Sequence, residues 1–194
     1  METKRIFIAI NLKEEIREYL SAIKNNLTFG ESKIKWVEKE NLHLTLKFIG
    51  DTNQQLLELI NIKLKEITSQ YNTFIIKLSP DIGLFPLSAK KINIIPRVIW
   101  VGIEEKNNIL KNFFNSMEEG LSEIGIPKEN KGFSSHITLG RIKYLKDKRR
   151  LINLINSITI QNYSQKIESI ELMESKLTPK GPYYSILHQY PLLK

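Results

Sequence analysis

Two segments of this chain place a threonine two residues after a histidine. They are His43–Thr45 (His-Leu-Thr) and His136–Thr138 (His-Ile-Thr), and they take up two of the three histidines among 194 residues. On a β-strand, residues two apart point to the same face of the sheet. Each segment therefore presents one imidazole and one hydroxyl together, while the aliphatic residue between them points into a core.

Two imidazoles on either side of one phosphodiester suit acid–base chemistry. A neutral ring takes a proton from the attacking oxygen, and a protonated ring gives one to the departing oxygen. Threonine hydroxyls can donate to the non-bridging oxygens, where negative charge develops. The pattern predicts that His43 and His136 are catalytic and that Thr45 and Thr138 bind the phosphate. A His–Thr pair duplicated for structural reasons is the alternative explanation.

The types of residue in the chain indicate that this chemistry needs no metal or other cofactor. There is no cysteine, hence no thiolate ligand or disulfide, and there is no H-E-x-x-H segment or cluster of acidic residues. A zinc site made of three histidines would have to include His188, which belongs to no motif.

The elements that must position the two motifs recur in the same order in both halves of the chain. Apolar residues at a spacing of three or four predict helices over residues 14–27, 56–67, 109–124 and 151–155. Short apolar or alternating runs predict strands over 6–10, 43–49, 74–78, 98–103 and 136–142, and two strands within 166–187 joined at 178–182. Residues 80–86, with two prolines, are predicted to form a loop.

This repetition has a nearly constant register. Residues 5–10 align with 97–102 at an offset of 92, and the two histidines are 93 apart. A period this long indicates a duplicated unit. We expect the α+β class, with two pseudo-symmetric lobes, each an antiparallel sheet with outer helices, facing across a central cleft. No linker interrupts residues 1–194, so a single domain is expected, duplicated approximately as 1–90 and 91–194.

The composition is that of an ordinary globular protein with an excess of positive charge. The chain is 41% hydrophobic and 26% charged, and its net charge of +8 is compatible with a polyanionic partner. The basic run at 146–150 is interpreted as a solvated helix start. No apolar run approaches the roughly 18 residues of a membrane span, and the apolar stretch at 6–10 is too short for a signal peptide. A cytoplasmic monomer without a membrane partner is expected.

The motifs resemble those of the 2H phosphoesterase superfamily, and most closely its RNA 2',3'-cyclic phosphodiesterase branch, also called 2'-5' RNA ligases. The similarity is carried by residues 5–10, 36–50, 133–141 and 172–184. It implies hydrolysis of a terminal 2',3'-cyclic phosphate of RNA to a 2'-phosphate. It also implies that His43 protonates the departing 3' oxygen and that His136 activates water, although the symmetry of the motifs leaves this order open. Ser135 replaces a proline that is frequent in the family.

Four further residues are candidates for contacts with the substrate. By simple alternation Lys47 shares the face of His43, whereas Arg141 points away from His136 unless a bulge turns it back. Phe133 and Tyr184 could line the cleft, with packing as the alternative for each. Trp36, ahead of the first His-x-Thr motif, is predicted to pack, and Lys180 and Gly181 are predicted to form a turn.

Other functions remain open at the level of sequence. The same fold could act on 2',5'-linked oligonucleotides, or join tRNA halves in the reverse direction. A nucleotide-binding module without catalysis, or a basic RNA-binding protein with incidental histidines, would bind without turnover. The sequence does not name the physiological RNA.

Overall fold

The computed structural model describes residues 3–90, 94–130, 132–179 and 181–194. Four α-helices lie in these ranges: α1 (Glu14–Asn26), α2 (Gln54–Thr68), α3 (Ile109–Glu123) and α4 (Lys148–Asn156). The strands described there are β1 (Lys4–Asn11), β2 (Lys33–Trp36), β3 (His43–Thr52), β4 (Phe74–Phe85), β5 (Val98–Glu105), β6 (His136–Tyr144), β7 (Ser164–Ile167), β8 (Ser169–Thr178) and β9 (Gly181–Pro191).

The strands form one curled antiparallel sheet, which confirms the predicted α+β class. Its order is β7-β4-β5-β6-β3-β1-β8-β9, and β2 pairs with the remaining part of the β6 edge. The sheet is continuous at its centre through a single pairing of β3 with β6, Leu44 opposite Ile137. The two predicted lobes are therefore the two ends of one sheet, joined at the His-x-Thr strands.

Strands cross between the two halves of the sequence. β4 pairs with β5, β8 pairs with β1, and β2 pairs with β6. Each end of the sheet thus contains a long strand from the other sequence half. A division near residue 90 follows the order of the chain, but it does not follow the hydrogen bonding of the sheet.

A single hydrophobic core lies between the sheet and the helices. On β1, Ile6, Ile8 and Ile10 belong to this core, whereas Phe7 and Ala9 point to the opposite, open face.

The strand pairing shows which residues of β1 and β5 are equivalent in the two halves of the repeat. Asn11 lies opposite the first histidine and Gly102 opposite the second, so the offset is 91 and the expected value of 92 is wrong by one residue. A one-residue slip exchanges the two faces of a strand.

The predicted loop over 80–86 is also wrong, because β4 continues through it to Phe85. The pairing of β4 with β5 is interrupted between Leu78 and Ile82, and this irregularity holds Pro80, which has no N–H to offer. The carbonyl of Pro80 instead accepts a hydrogen bond from the backbone N–H of Ile160. Within the described ranges no helix is long and apolar enough to span a membrane.

Candidate active site

His43 and His136 lie on neighbouring strands and on the same open face of the sheet. The strands meet where Leu44 pairs with Ile137, and both of these aliphatic side chains are fully buried on the helix side. The residues flanking such an antiparallel pair face each other crosswise, so each histidine lies toward the threonine of the other strand. The two histidines are diagonal neighbours, positions whose Cα atoms are about 7–8 Å apart in a regular sheet. Side chains that project from two such positions on one face can reach a phosphate between them.

Each histidine is oriented by the backbone carbonyl two residues before it. Nδ1 of His43 lies 2.8 Å from the carbonyl oxygen of Asn41, and Nδ1 of His136 lies 2.7 Å from that of Ser134. A carbonyl only accepts, so Nδ1 carries the hydrogen in both rings. This leaves Nε2 of each ring for proton transfer. Nε2 of His43 lies 2.8 Å from the Thr45 hydroxyl, which donates to it when the ring is neutral.

Aromatic side chains flank the first histidine, which is partly buried. The ring centroid of His43 is 5.0 Å from that of Phe7 and 5.4 Å from that of Tyr184, in an edge-on arrangement with the latter. Burial lowers the pKa of His43 from its usual 6.5 to about 4, against the opposing effect of the hydrogen bond to Asn41. The free site therefore favours a neutral imidazole.

The second histidine has a similar environment built from different residues. Its ring centroid lies 4.9 Å from that of Phe85 and 6.0 Å from that of Trp100, and these two aromatic rings stack on each other. Burial is the main cause that lowers the pKa of His136, and the positive charge of Arg141 lowers it further. Both histidines are thus neutral in the free protein near pH 7.

A β-bulge places Lys47 on the wrong face for the predicted substrate contact. Ala9 pairs with Thr45 and Ile8 pairs with Lys47, so Leu46 is an extra residue that breaks the alternation. The ammonium of Lys47 is buried on the helix side. It lies 2.6 Å from a carboxylate oxygen of Glu118 and donates to the carbonyl of Pro127 at 2.9 Å. The candidate role of Lys47 at the substrate is therefore corrected to a structural one.

The equivalent bulge in β6 has the opposite consequence for Arg141. Trp100 pairs with Thr138 and Ile99 pairs with Gly140, so Leu139 is the extra residue here. This turns the exposed Arg141 onto the face that carries His136. Its charge lowers the pKa of that histidine and opposes the burial that raises the pKa of Tyr184.

The structure separates the other two candidates. Tyr184 is beside His43 and packs edge-on against Phe7, 5.0 Å between centroids, so it lines the open face. Phe133 instead stacks on Phe114 of α3 at 4.3 Å and contacts the core, which corrects its candidate role to packing.

Of the minor predictions, the packing of Trp36 can be compared with the structure. Trp36 packs against the core and over Gly140, as the packing interpretation expects. Lys180 lies outside the described residues.

Four aromatic residues of the site were missed by the sequence reasoning. They lie on the open face: Phe7, Phe48, Phe85 and Trp100. Phe7 contacts the ring of His43, and Phe85 and Trp100 contact that of His136. Phe48 is 62% exposed and lies beside Phe7. The alternation in β1 and β5 could have identified Phe7 and Trp100. Phe48 requires knowledge of the bulge, and Phe85 lies in the segment that was predicted to be a loop. In the described part of the chain, no cluster of three or more His, Cys, Asp or Glu side chains could hold a metal ion.

The chain is similar to known proteins over nearly its whole length. The family model described as LigT-like phosphoesterase matches residues 10–95 and 101–184, and each matched segment contains one His-x-Thr. Proteins named RNA 2',3'-cyclic phosphodiesterase are 36% identical in Methanocaldococcus jannaschii, over 96% of this chain and 99% of that one, and 34% identical in Aquifex aeolicus, over 99% of both.

Solved structures share the fold over the whole chain. TT0787 of Thermus thermophilus has a TM-score of 0.81 at 26% identity and 97% coverage of both chains. Escherichia coli LigT complexed with 3'-AMP has a TM-score of 0.81 at 24% identity, and it covers 100% of both chains. With the sequence matches spanning nearly its full length, this chain belongs to the LigT-like phosphoesterase family.

Proposed function

We propose that this chain hydrolyses 2',3'-cyclic phosphate ends of RNA to 2'-phosphates, with His43 and His136 as a general acid–base pair. The names of its relatives support a cyclic phosphodiesterase acting on RNA. The observation that carries the catalytic part is the pairing of Leu44 with Ile137, because it brings both His–Thr pairs to one open face.

The two histidines would divide the proton transfers of the reaction. Nε2 of His136 takes a proton from water as the water oxygen bonds to phosphorus. The bond from phosphorus to the 3' oxygen breaks, and Nε2 of His43 gives that oxygen a proton, which leaves the phosphate on the 2' oxygen. The assignment of acid and base follows the family resemblance. The hydrogen bonds from Nδ1 of each ring to a backbone carbonyl are alike, so they are equally compatible with the opposite assignment, in which His43 is the base and His136 the acid.

The remaining polar groups on the open face would stabilise the transition state. The hydroxyls of Thr45 and Thr138 donate to the non-bridging oxygens, and Arg141 adds a positive charge close to His136. One well-placed donor of this kind is worth about 3–4 kcal/mol in related acyl-transfer sites. In the free site the Thr45 hydroxyl contacts Nε2 of His43, so an entering phosphate replaces an existing hydrogen bond.

A metal-free assay tests this proposal. The purified chain is incubated with a short oligoribonucleotide ending in 2',3'-cyclic phosphate, in excess EDTA, and the product is identified by ³¹P NMR. We expect turnover to a 2'-phosphate that the chelator does not reduce. Binding without turnover would favour a nucleotide-binding module, and loss of activity with EDTA would contradict the metal-independent mechanism. A substrate with a 5'-hydroxyl fragment added would reveal joining of the ends.

The lowered histidine pKa values predict the pH dependence of kcat/KM. The pair needs one neutral and one protonated ring, and kcat/KM reports the free protein. The pKa of His43 is about 4 and that of His136 is lowered from 6.5, so kcat/KM should follow a bell that peaks below pH 6.5 and falls above it. Bound phosphate stabilises both imidazolium forms and raises their pKa values, so the kcat profile should peak at higher pH.

Unfolding at low pH would also lower the activity, so the folded state must be checked at each pH. Histidines with lowered pKa values stabilise the folded state above their unfolded pKa, and this contribution is lost as the pH falls through the folded value. Circular dichroism at each pH separates unfolding from loss of the catalytic protonation state. A kcat/KM profile that is flat, or that peaks above pH 7, would contradict the proposed pair.

A further inference from the structure

A cavity of about 500 Å³ opens beside the candidate active site, where the start of β5 meets the end of β6. Residues 95–98 and 141–145 line it, and Arg141 belongs to both the cavity and the histidine face. Two more cations, Arg97 and Lys143, line the cavity, and both are exposed. The lining also includes the half-exposed ring of Tyr144 and the exposed side chain of Ile95.

A second row of cations borders β6 on its other edge. β2 pairs with this part of β6, and Lys35 lies directly opposite Arg141. Opposed residues in a sheet project from the same face, so Lys35 and Arg141 stand side by side. Ile34 and Trp36 pack against the core, which leaves Lys33 and Lys35 exposed. We call the whole set the cationic strip: Lys33, Lys35, Arg97, Arg141 and Lys143.

The members of the cationic strip form no ion pairs among the residues that the structure describes. Elsewhere on the surface, Lys39, Lys63 and Lys128 each pair with a glutamate. Uncompensated positive charge along a groove attracts a polyanion. An exposed aromatic ring within such a groove adds a stacking surface for a base.

We propose that the cationic strip binds the RNA chain on the 5' side of the nucleotide whose cyclic phosphate is hydrolysed. This inference rests on the proposed function. A chain leaving the His–Thr face along β6 meets Arg141 first, and Lys143 follows it along the lining of the same cavity. Lys35 flanks this path from β2, and Tyr144 offers its ring to a base. The preferred substrate is therefore an oligonucleotide rather than a cyclic mononucleotide.

The test compares two substrates and two charge-matched double variants. Lys35→Gln/Lys143→Gln removes two charges from the cationic strip and leaves the candidate catalytic residues intact. Lys65→Gln/Lys111→Gln removes two exposed charges from α2 and α3, on the helix side of the sheet. For each protein, kcat/KM is measured with a cyclic mononucleotide and with an oligoribonucleotide ending in 2',3'-cyclic phosphate.

We expect the strip variant to lose at least about tenfold in kcat/KM with the oligoribonucleotide and less than about twofold with the mononucleotide, as its phosphate contacts carry salt-sensitive affinity. The dependence of log kcat/KM on log salt should become shallower by about 1.4 for two lost contacts to single-stranded RNA. The control variant should match the wild type with both substrates. Parallel losses with both substrates, or equal losses in the two variants, would overturn the proposal.

A binding measurement keeps this test separate from the proposed function. Fluorescence anisotropy with a labelled oligoribonucleotide ending in 3'-phosphate gives the Kd of each protein without turnover. Weaker binding by the strip variant, with unchanged binding by the control variant, supports RNA binding at the cationic strip. This result would hold even if the wild type hydrolyses neither substrate and the proposed function fails. Equal binding by all three proteins would contradict RNA binding at the cationic strip, whatever the enzyme activity.

Discussion

Replacing His43 or His136 with alanine is expected to lower kcat/KM with a cyclic phosphate substrate by about 10³-fold, within the range of a general acid or base. Each ring supplies one of two proton transfers on the same phosphate. The open face brings them together through the pairing of Leu44 with Ile137. Steady-state kinetics in EDTA, near the pH optimum of the wild type, measures the loss.

The double variant distinguishes a cooperating pair from two independent contributions. If both rings act in a single displacement, removing the second ring lowers kcat/KM only slightly once the first is absent. The kcat/KM of the double variant should then be within about tenfold of that of the less active single variant. Multiplicative losses, near 10⁶-fold, would indicate separate roles and contradict the paired mechanism.

The third histidine provides a matched control. His188 is exposed on β9, and its ring lies 6.3 Å from that of Tyr190, away from the His-x-Thr strands. His188→Ala should retain activity within about twofold of the wild type. Circular dichroism must show that all variants are folded, since His43 packs against Phe7 and Tyr184 and its removal leaves a gap there.

The central part of this site could be predicted from the sequence because it depends on local patterns. A His-x-Thr segment within an alternating run fixes which side chains share a face. The amphipathic spacing of the helices also fixes which face of the sheet they cover. The observed helices α1 to α4 and the strands β1, β3, β5 and β6 lie where these patterns predicted them, within a few residues at their ends.

The bulges could not be predicted, and they decide the roles of two cations. An extra residue in one strand reverses the face of the residues that follow it up to the next irregularity, and neither Leu46 nor Leu139 differs from an ordinary strand residue. The reversal moves Lys47 to the helix side and Arg141 to the histidine side. Gly140, which follows the second bulge and lies under Trp36, was the one local hint in β6.

Pairing between distant strands was the other feature beyond the reach of local patterns. β2 and β7 have only four residues each, too few to show a period. The choice of partner for β4 and β8 depends on contacts between residues far apart in the chain. Both features matter for function, because β2 supplies part of the cationic strip and β4 supplies Phe85.

Replacing Lys47 with methionine is expected to lower the free energy of unfolding by about 3–5 kcal/mol, the usual cost of breaking a buried ion pair from one side. The side chains of Lys47 and Glu118 are 2% and 8% exposed. Methionine would leave the Glu118 carboxylate buried with one remaining donor, the backbone N–H of Glu129 at 2.5 Å. Urea unfolding of both proteins, followed by circular dichroism, measures the difference.

An exposed ion pair on the same helix is the control. Lys128 pairs with Glu119 on the surface of α3, so Lys128→Met should cost no more than about 1 kcal/mol. The double variant Lys47→Met/Glu118→Leu should recover part of the loss, since no buried charge remains. It should not recover all of it, because the carbonyl of Pro127 and the N–H of Glu129 lose their partners.

The same variant decides between the two roles that sequence and structure assign to this lysine. Lys47 and Glu118 tie the first His-x-Thr strand to the segment that leads into β6, so their loss acts on the fold. Lys47→Met, assayed well below its midpoint of unfolding, should keep kcat/KM within about fivefold of the wild type. A large loss of kcat/KM with little loss of stability would place the ammonium at the substrate after all. A large loss of stability with activity retained would show that Lys47 stabilises the fold and does not contact the substrate, as its position after the bulge at Leu46 indicates.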